Sequence, residues 1–227
     1  MENAEQADDT LPSQGKVFRA ILKVAWLAVL LGLGVEAILL AAKVSLGIDT
    51  AAGRFAADVV GKITWSVLIC IGLAVGIIVT RTAALPMLLF GLISAPIATI
   101  LARVTHKSIL EAMNLAAPGT LAGTLAVSAI RAVEYGLLGL ALCLLVRKSV
   151  QSPWAYAGTG FGLGLIFGLM VQGTYVWLTK APLSPPETMA RLVNEIIFPI
   201  GCSLVLYVSV AIGKSKADSL EIGSHSG

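Results

Sequence analysis

Six side chains stand where the surrounding sequence makes polar groups costly: Glu36, Arg131, Glu134, Gln172, Asn194 and Glu195. Glu36 follows Lys23 by thirteen residues and precedes Lys43 by seven, which places it roughly 10 Å inside the nearer end of an apolar helix. An ionised carboxylate at that depth is unfavourable by several kcal/mol unless it is paired or faces water. Glu36 therefore reads as a proton- or cation-coupling group or a substrate contact. It reads equally as a carboxyl bonded to a neighbouring helix. Lys43 is two turns away and is expected to extend towards the headgroups, so the expected partners are Arg131, Gln172 or Asn194, in that order.

Arg131 and Glu134 are three apart and share a helix face. They form either a charged face aimed at a solute or an intrahelical pair that neutralises itself. Arg191, Asn194 and Glu195 cluster at spacings of three and four. Pro199 follows Glu195 by four, and its missing N–H leaves the Glu195 carbonyl without its helical donor. A free carbonyl beside a carboxylate suits an ion or polar ligand, whereas the bland alternative is an ordinary segment at headgroup level. Gln172 and the Asp58/Lys62 pair are expected at comparable depth on the same side.

Bond-breaking chemistry has little to stand on. The only histidines are His106 and His225, which argues against a bis-histidine haem and an HExxH zinc site. Cys70, Cys143 and Cys202 are isolated within apolar segments and read as buried small hydrophobes. There is no P-loop, no Gly-x-Ser-x-Gly elbow and no paired aspartates of an intramembrane protease. No catalytic residue, metal ligand or cofactor is expected.

The elements that must position these groups follow from composition. The 227 residues are 57% hydrophobic and 13% charged, against about 25% charged in soluble chains. Ile63–Thr80 and Ser149–Thr179 contain no Asp, Glu, Lys or Arg, and about 18 apolar residues suffice to cross a bilayer. The chain is expected to be an all-α, polytopic membrane bundle of about six helices, near 24–42, 63–80, 84–102, 127–146, 155–178 and 192–212. Trp154 and Trp177 bracket the fifth helix, and Trp26 and Trp65 are expected to mark interfaces in the same way. Residues 1–15 and 214–227 read as disordered tails flanking a transmembrane domain at 16–213. The acidic start reads as neither a secretory signal nor a transit peptide.

Two capping boxes occur in the connections. Ser108-Ile-Leu-Glu111 predicts a short interfacial helix at 108–116. Ser184-Pro-Pro-Glu187 predicts that the last helix starts outside the membrane, with Pro185 at its first position. Gly158, Gly160, Gly162, Gly164 and Gly168 form a small-residue pattern that lets another helix approach closely.

A faint repeat runs through the chain. Gly32, Gly91 and Gly168, each followed by Leu, precede the basic residues Lys43, Arg103 and Lys180 by eleven or twelve positions. The next helices open on Lys62-Ile-Thr-Trp65, Arg131-Ala-Val-Glu134 and Arg191-Leu-Val-Asn194. The pattern fits three two-helix units, or chance recurrence of common membrane residues.

Lys and Arg divide almost evenly between the two sides, so the positive-inside rule decides little. Basic, acid-free turns at Arg81 and Arg147–Pro153 favour both termini in the cytoplasm of a bacterial inner membrane. The net charge of +3 gives no sign of nucleic-acid binding. The bilayer is the expected partner, with membrane protein partners or self-association open. Two functions fit: transport-related binding or conduction of a small polar or cationic solute, and a non-catalytic subunit or assembly factor. An intramembrane enzyme is the least supported.

Overall fold

The computed structural model describes residues 14–47, 52–80, 83–115, 121–180 and 184–224. They form six helices: α1 (Gln14–Ser45), α2 (Ala52–Thr80), α3 (Ala84–Ala112), α4 (Leu121–Arg147), α5 (Pro153–Thr179) and α6 (Pro185–Ser224). All six are long and apolar enough to cross a membrane, and no strand occurs among the described residues. The chain is thus an all-α bundle with the architecture of a multi-pass membrane protein. Leu85, Leu89, Ile93 and Ile97 recur every four residues along α3 and are all exposed. Such a stripe is stable against lipid and not against water.

The helices exceed the apolar stretches that announce them. α2 starts at Ala52, eleven residues before the expected 63, and therefore includes Arg54, Asp58 and Lys62. α3 runs through Ala112, so the separate helix expected at 108–116 does not form. No glycine or proline interrupts the chain between Leu101 and Ala112, and Ser108 lies inside an unbroken helix where its capping capacity goes unused. The second capping box is built as expected. Ser184 Oγ donates to Glu187 Oε2 at 2.9 Å, the Ser184 amide donates to the same oxygen at 3.2 Å, and the Glu187 amide reaches back to Ser184 Oγ at 3.5 Å.

The tails also differ from expectation. α1 begins at Gln14, within the tail expected at 1–15, whose first thirteen residues lie outside the described ones. α6 continues to Ser224 and makes most of the tail expected at 214–227 helical. No breaker stands between Gly213 and Gly223 to stop it.

Neighbouring helices form a closed ring, each touching the next, with α6 returning to α1. α2, α4 and α6 also touch one another in the middle, whereas among the described residues α1, α3 and α5 do not meet. This is an arrangement of three hairpins. The repeat glycines fall at matching places in it. A Cβ on Gly32 would meet Ser66 Oγ and the Ile63 backbone of α2 at 2.8–3.0 Å. One on Gly91 would meet the Tyr135 carbonyl of α4 at 2.1 Å, and one on Gly168 would meet Glu195 Cβ of α6 at 2.8 Å. In each hairpin the glycine of the first helix admits the second helix one turn past the basic residue that opens the repeated motif. Gly72, Gly76, Gly136, Gly139, Gly160, Gly164 and Gly201 meet neighbouring helices as closely, so close approach is shared beyond the repeat.

The core runs from Val24 and Ala28 through Ile69, Leu73, Leu138 and Leu142 to Phe198 and Leu206. Leu142 has no exposure, whereas Ser149 sits in the exposed turn after α4. In a background with the three native cysteines replaced, a cysteine at 149 should react with a polar maleimide in detergent within minutes. One at 142 should stay unlabelled until the protein is denatured; equal labelling would contradict the bundle.

Candidate functional site

Lys62, Arg131 and Glu195 each lie ten residues from the start of their helix. α2, α4 and α6 all start from the same face of the bundle, so the three side chains share a depth about 15 Å from that end. They meet there. Arg131 Nη2 donates to Glu195 Oε2 at 2.6 Å and to Oε1 at 2.7 Å. Lys62 Nζ donates to Asn194 Oδ1, and Asn194 Nδ2 donates to Glu195 Oε1 at 3.2 Å. Two aromatic rings support the cations: Arg131 lies 4.7 Å from the Trp65 ring centroid and Lys62 lies 5.3 Å from that of Phe198. Tyr135 meets Trp65 edge-on at 5.5 Å.

A second cluster lies closer to the same end. Lys43 Nζ donates to Asp58 Oδ2 at 3.0 Å, and His106 Nε2 lies 3.0 Å from Asp58 Oδ1. Lys43 also approaches Glu36 Oε1 at 3.7 Å, an ion-pair contact too long for a hydrogen bond. Lys62 connects the clusters. It is one turn past Asp58 on the same face of α2, and it interacts electrostatically with Glu36, Asp58 and Glu195. The whole network draws on α1, α2, α3, α4 and α6.

The other half of the bundle holds no counterpart. No Asp, Glu, Lys, Arg or His occurs between Lys23 and Glu36, between Lys62 and Thr80, between Ala84 and Ala102, between Glu134 and Val146, or between Glu195 and Gly213. Every charge embedded in the bundle therefore lies towards one face.

Several expectations change with this geometry. The contact partner of Glu36 is Lys43 of its own helix, and not Arg131, Gln172 or Asn194. Seven residues are close to two full turns, so the two share a face, and a helical side chain leans towards the N-terminus. Lys43 thus reaches back over Glu36. The self-neutralising pair of Arg131 and Glu134 is a weak contact at 4.0 Å, because Arg131 is committed to Glu195 on another helix. Asn194 and Glu195 join the network of Lys62 and Arg131. Gln172 sits one turn beyond Gly168 on α5, and its Nε2 is buried without a partner among the described residues. The carbonyl freed by Pro199 is covered by helix and not open to a ligand: a Cβ on Gly164 would stand 2.8 Å from the Glu195 carbonyl oxygen. Of the six α5 glycines, Gly160, Gly164 and Gly168 face α6, while Gly158, Gly162 and Gly173 meet nothing within 4 Å.

Trp65 is not an interfacial marker. It is 7% exposed, deep in α2 and under Arg131, whereas Trp26, Trp154 and Trp177 are exposed as interface residues are. Lys43, Asp58, Lys62, Trp65 and His106 join the site without having been singled out as ligands. Their signal in the sequence is spacing: Asp58, Lys62 and Trp65 recur at four and three along one face of α2.

Two acids stand apart. Glu36 and Glu134 are 1% and 0% exposed, and neither has a hydrogen bond to any carboxylate oxygen among the described residues. The free cysteines are buried, with Cys70 and Cys202 3.7 Å apart between α2 and α6. No group of three metal-ligating side chains occurs among the described residues. No family model, curated protein or solved structure matches this chain. The arrangement can bind charge and hold several helices in register.

Proposed function

We propose that this is a transport-related membrane protein that binds a small polar or cationic solute in the charged half of its bundle. The supporting observation is the pair of buried acids, Glu36 and Glu134, whose oxygens lack hydrogen-bond donors although four cationic or amide side chains lie in the same network. A buried carboxylate that serves only to hold helices together is satisfied, as Glu195 is. Acids left short of donors suit a site whose occupant supplies positive charge. The basic turns on the N-terminal side favour both termini in the cytoplasm, in the inner membrane of a bacterium.

The test uses the full chain in proteoliposomes, with flux of protons, sodium and potassium followed under imposed gradients. Glu36→Gln keeps shape and removes charge. It should abolish flux while the melting profile stays within a few degrees of wild type. Wild-type behaviour of Glu36→Leu in both assays would remove Glu36 from the mechanism.

The second reading is a non-catalytic subunit or assembly factor. It draws on the Arg131–Glu195 and Lys43–Asp58 bonds, which join α4 to α6 and α1 to α2. A stoichiometric partner surviving purification in mild detergent, with no flux by the isolated chain, would establish it instead.

A further inference from the structure

We propose that the charged end of the bundle, where α4, α5 and α6 meet, holds a binding site for a phosphate group, built by Arg103, Arg191, Ser128 and Gln172. The site lies beside the Arg131–Glu195 pair and takes a group of opposite charge to a cationic solute. It goes beyond the transport reading and does not rest on it.

The placement follows from two helix faces. Thr124, Ser128, Arg131 and Tyr135 recur along α4 at spacings of four, three and four, so they share a face. Arg131 bonds Glu195 from that face, which therefore looks towards α6. On α5, Gln172 stands one turn past Gly168, and a Cβ on Gly168 would meet Glu195 and Leu192 of α6. Ser128 and Gln172 thus approach the first half of α6 from two different helices. They also share a level with Arg191. Ser128 is seven residues from the start of α4, Gln172 seven from the end of α5 and Arg191 six from the start of α6. All three stand about 9–10 Å inside the same face of the bundle.

The floor of this site consists of donors with nothing to bond. Ser128 is 4% exposed, and its hydroxyl has no hydrogen-bond partner among the described residues. Gln172 Nε2 is in the same condition. Buried polar atoms left without partners are uncommon and call for an explanation. The rim is cationic. Arg103 Nη1 donates to Thr124 Oγ1 at 3.0 Å, one turn from Ser128 on the same face of α4. Arg191 lies over the Tyr175 ring of α5, 4.2 Å from its centroid. Neither guanidinium forms an ion pair among the described residues, although Arg103 is within electrostatic reach of both Arg131 and Arg191. Three guanidiniums converge from α3, α4 and α6, and of these only Arg131 has a carboxylate bonded to it. The nearby acids are engaged. Glu195 is held by Arg131, and Glu187, which acts on Arg191 from one turn before it, is held by Ser184 in the cap.

This donor set selects its ligand. Guanidinium groups pair with phosphate oxygens through two N–H bonds at once, and the hydroxyl and the amide each add a neutral donor. A tetrahedral phosphate offers acceptor oxygens in several directions, as donors on four helices require, whereas a carboxylate offers two in one plane. The phosphate belongs either to the headgroup of an anionic phospholipid or to a free inorganic ion.

The test uses the full chain in detergent with two probes. Native mass spectrometry follows binding of phosphatidylglycerol, and thermal melting follows inorganic phosphate against chloride at equal ionic strength. Binding of the lipid alone assigns the site to a headgroup, a response to phosphate alone assigns it to the free ion, and both together mean that the site reads the phosphate itself. Arg103→Gln and Arg191→Gln should each weaken the binding observed by about tenfold, the low end for one hydrogen bond to a charged group. Ser128→Ala and Gln172→Leu should each weaken it by a smaller factor. Lys107→Gln removes the same charge one turn from Arg103, at an exposed position, and should change nothing. Melting without either probe checks that each variant is folded. The proposal is overturned if neither probe binds, if both arginine variants bind like wild type, or if Lys107→Gln weakens binding as much as they do. Wild-type binding by both Ser128→Ala and Gln172→Leu would also overturn it, because the rim would then act by charge alone.

Discussion

Arg131→Leu should lower stability by about 3–5 kcal/mol, the range for breaking a buried ion pair from one side. Arg131 is 11% exposed and bonds both oxygens of Glu195 at 2.6 and 2.7 Å. Removing it leaves Glu195, among the described residues, with the Asn194 amide at 3.2 Å as its hydrogen bond and Lys62 as its nearby cation, and takes from Glu134 its ion-pair contact. It also removes the guanidinium that covers the Trp65 ring, so tryptophan fluorescence reports the change as well as the unfolding. Replacing both partners, Arg131→Leu with Glu195→Leu, should recover part of the loss, because Glu195 is then no longer a buried charge without its cation, although the Asn194 amide loses its acceptor. The contrast is the exposed pair Lys107–Glu111, where the side chains are 63% and 59% exposed. Lys107→Ala should shift the unfolding midpoint by less than about 1 kcal/mol, as surface pairs do. An Arg131→Leu protein that melts like the Lys107→Ala one would mean that the pair does not hold α4 to α6.

The spans were legible because hydrophobicity is a one-dimensional property. Their ends were less so. Hydropathy stops at the first charge, whereas a helix stops where its backbone loses donors or meets a breaker. Asp58 and Lys62 look like the mouth of a loop on the first criterion. They are helical because Lys43, His106 and Asn194 satisfy them from other helices. Ser108 shows the same limit from the other side, since a capping motif acts only where the chain has already left the helix.

The candidate site was legible by depth and not by pairing. Counting residues along each helix places Glu36, Glu134, Arg131 and Glu195 in one half of the bundle, and the structure keeps them there. Which carboxylate meets which cation depends on how helices rotate and approach, and small residues control that. The repeat glycines carried this information in a form the sequence does not decode alone. Gly32, Gly91 and Gly168 each admit the second helix of a hairpin, and the second helices are those that carry Lys62, Arg131 and Glu195 to a common level. Lys43 was misjudged for a different reason: a long side chain can cover two turns of its own helix, and spacing alone favoured the headgroups.

Gly91→Leu should be as damaging as the loss of Arg131, by a steric route. A Cβ at Gly91 would stand 2.1 Å from the Tyr135 carbonyl oxygen, 2.5 Å from its carbon and 2.7 Å from Gly136 Cα. All three are backbone atoms of α4, which cannot rotate away as a side chain could. Even Gly91→Ala must separate α3 from α4, at about 1–3 kcal/mol by analogy with overpacked cores, and the longer Leu should exceed that. Gly160→Leu meets the Pro199 carbonyl at 2.5 Å and should behave similarly between α5 and α6. Gly158→Leu and Gly162→Leu are the controls, since neither glycine has a neighbour within 4 Å; both should melt within about 0.5 kcal/mol of wild type, as substitutions away from such features do. The consequence also reaches the site, because Tyr135 adjoins Glu134. Pushing α4 away from α3 moves Glu134 and Arg131 together relative to Glu195 and Trp65. Gly91→Ala should therefore alter tryptophan fluorescence in the folded protein, whereas Gly160→Ala, acting on the far side of α6, should change it less. A folded Gly91→Leu protein with wild-type melting and fluorescence would show that the α3–α4 contact is looser than drawn and does not set the level of the charged residues.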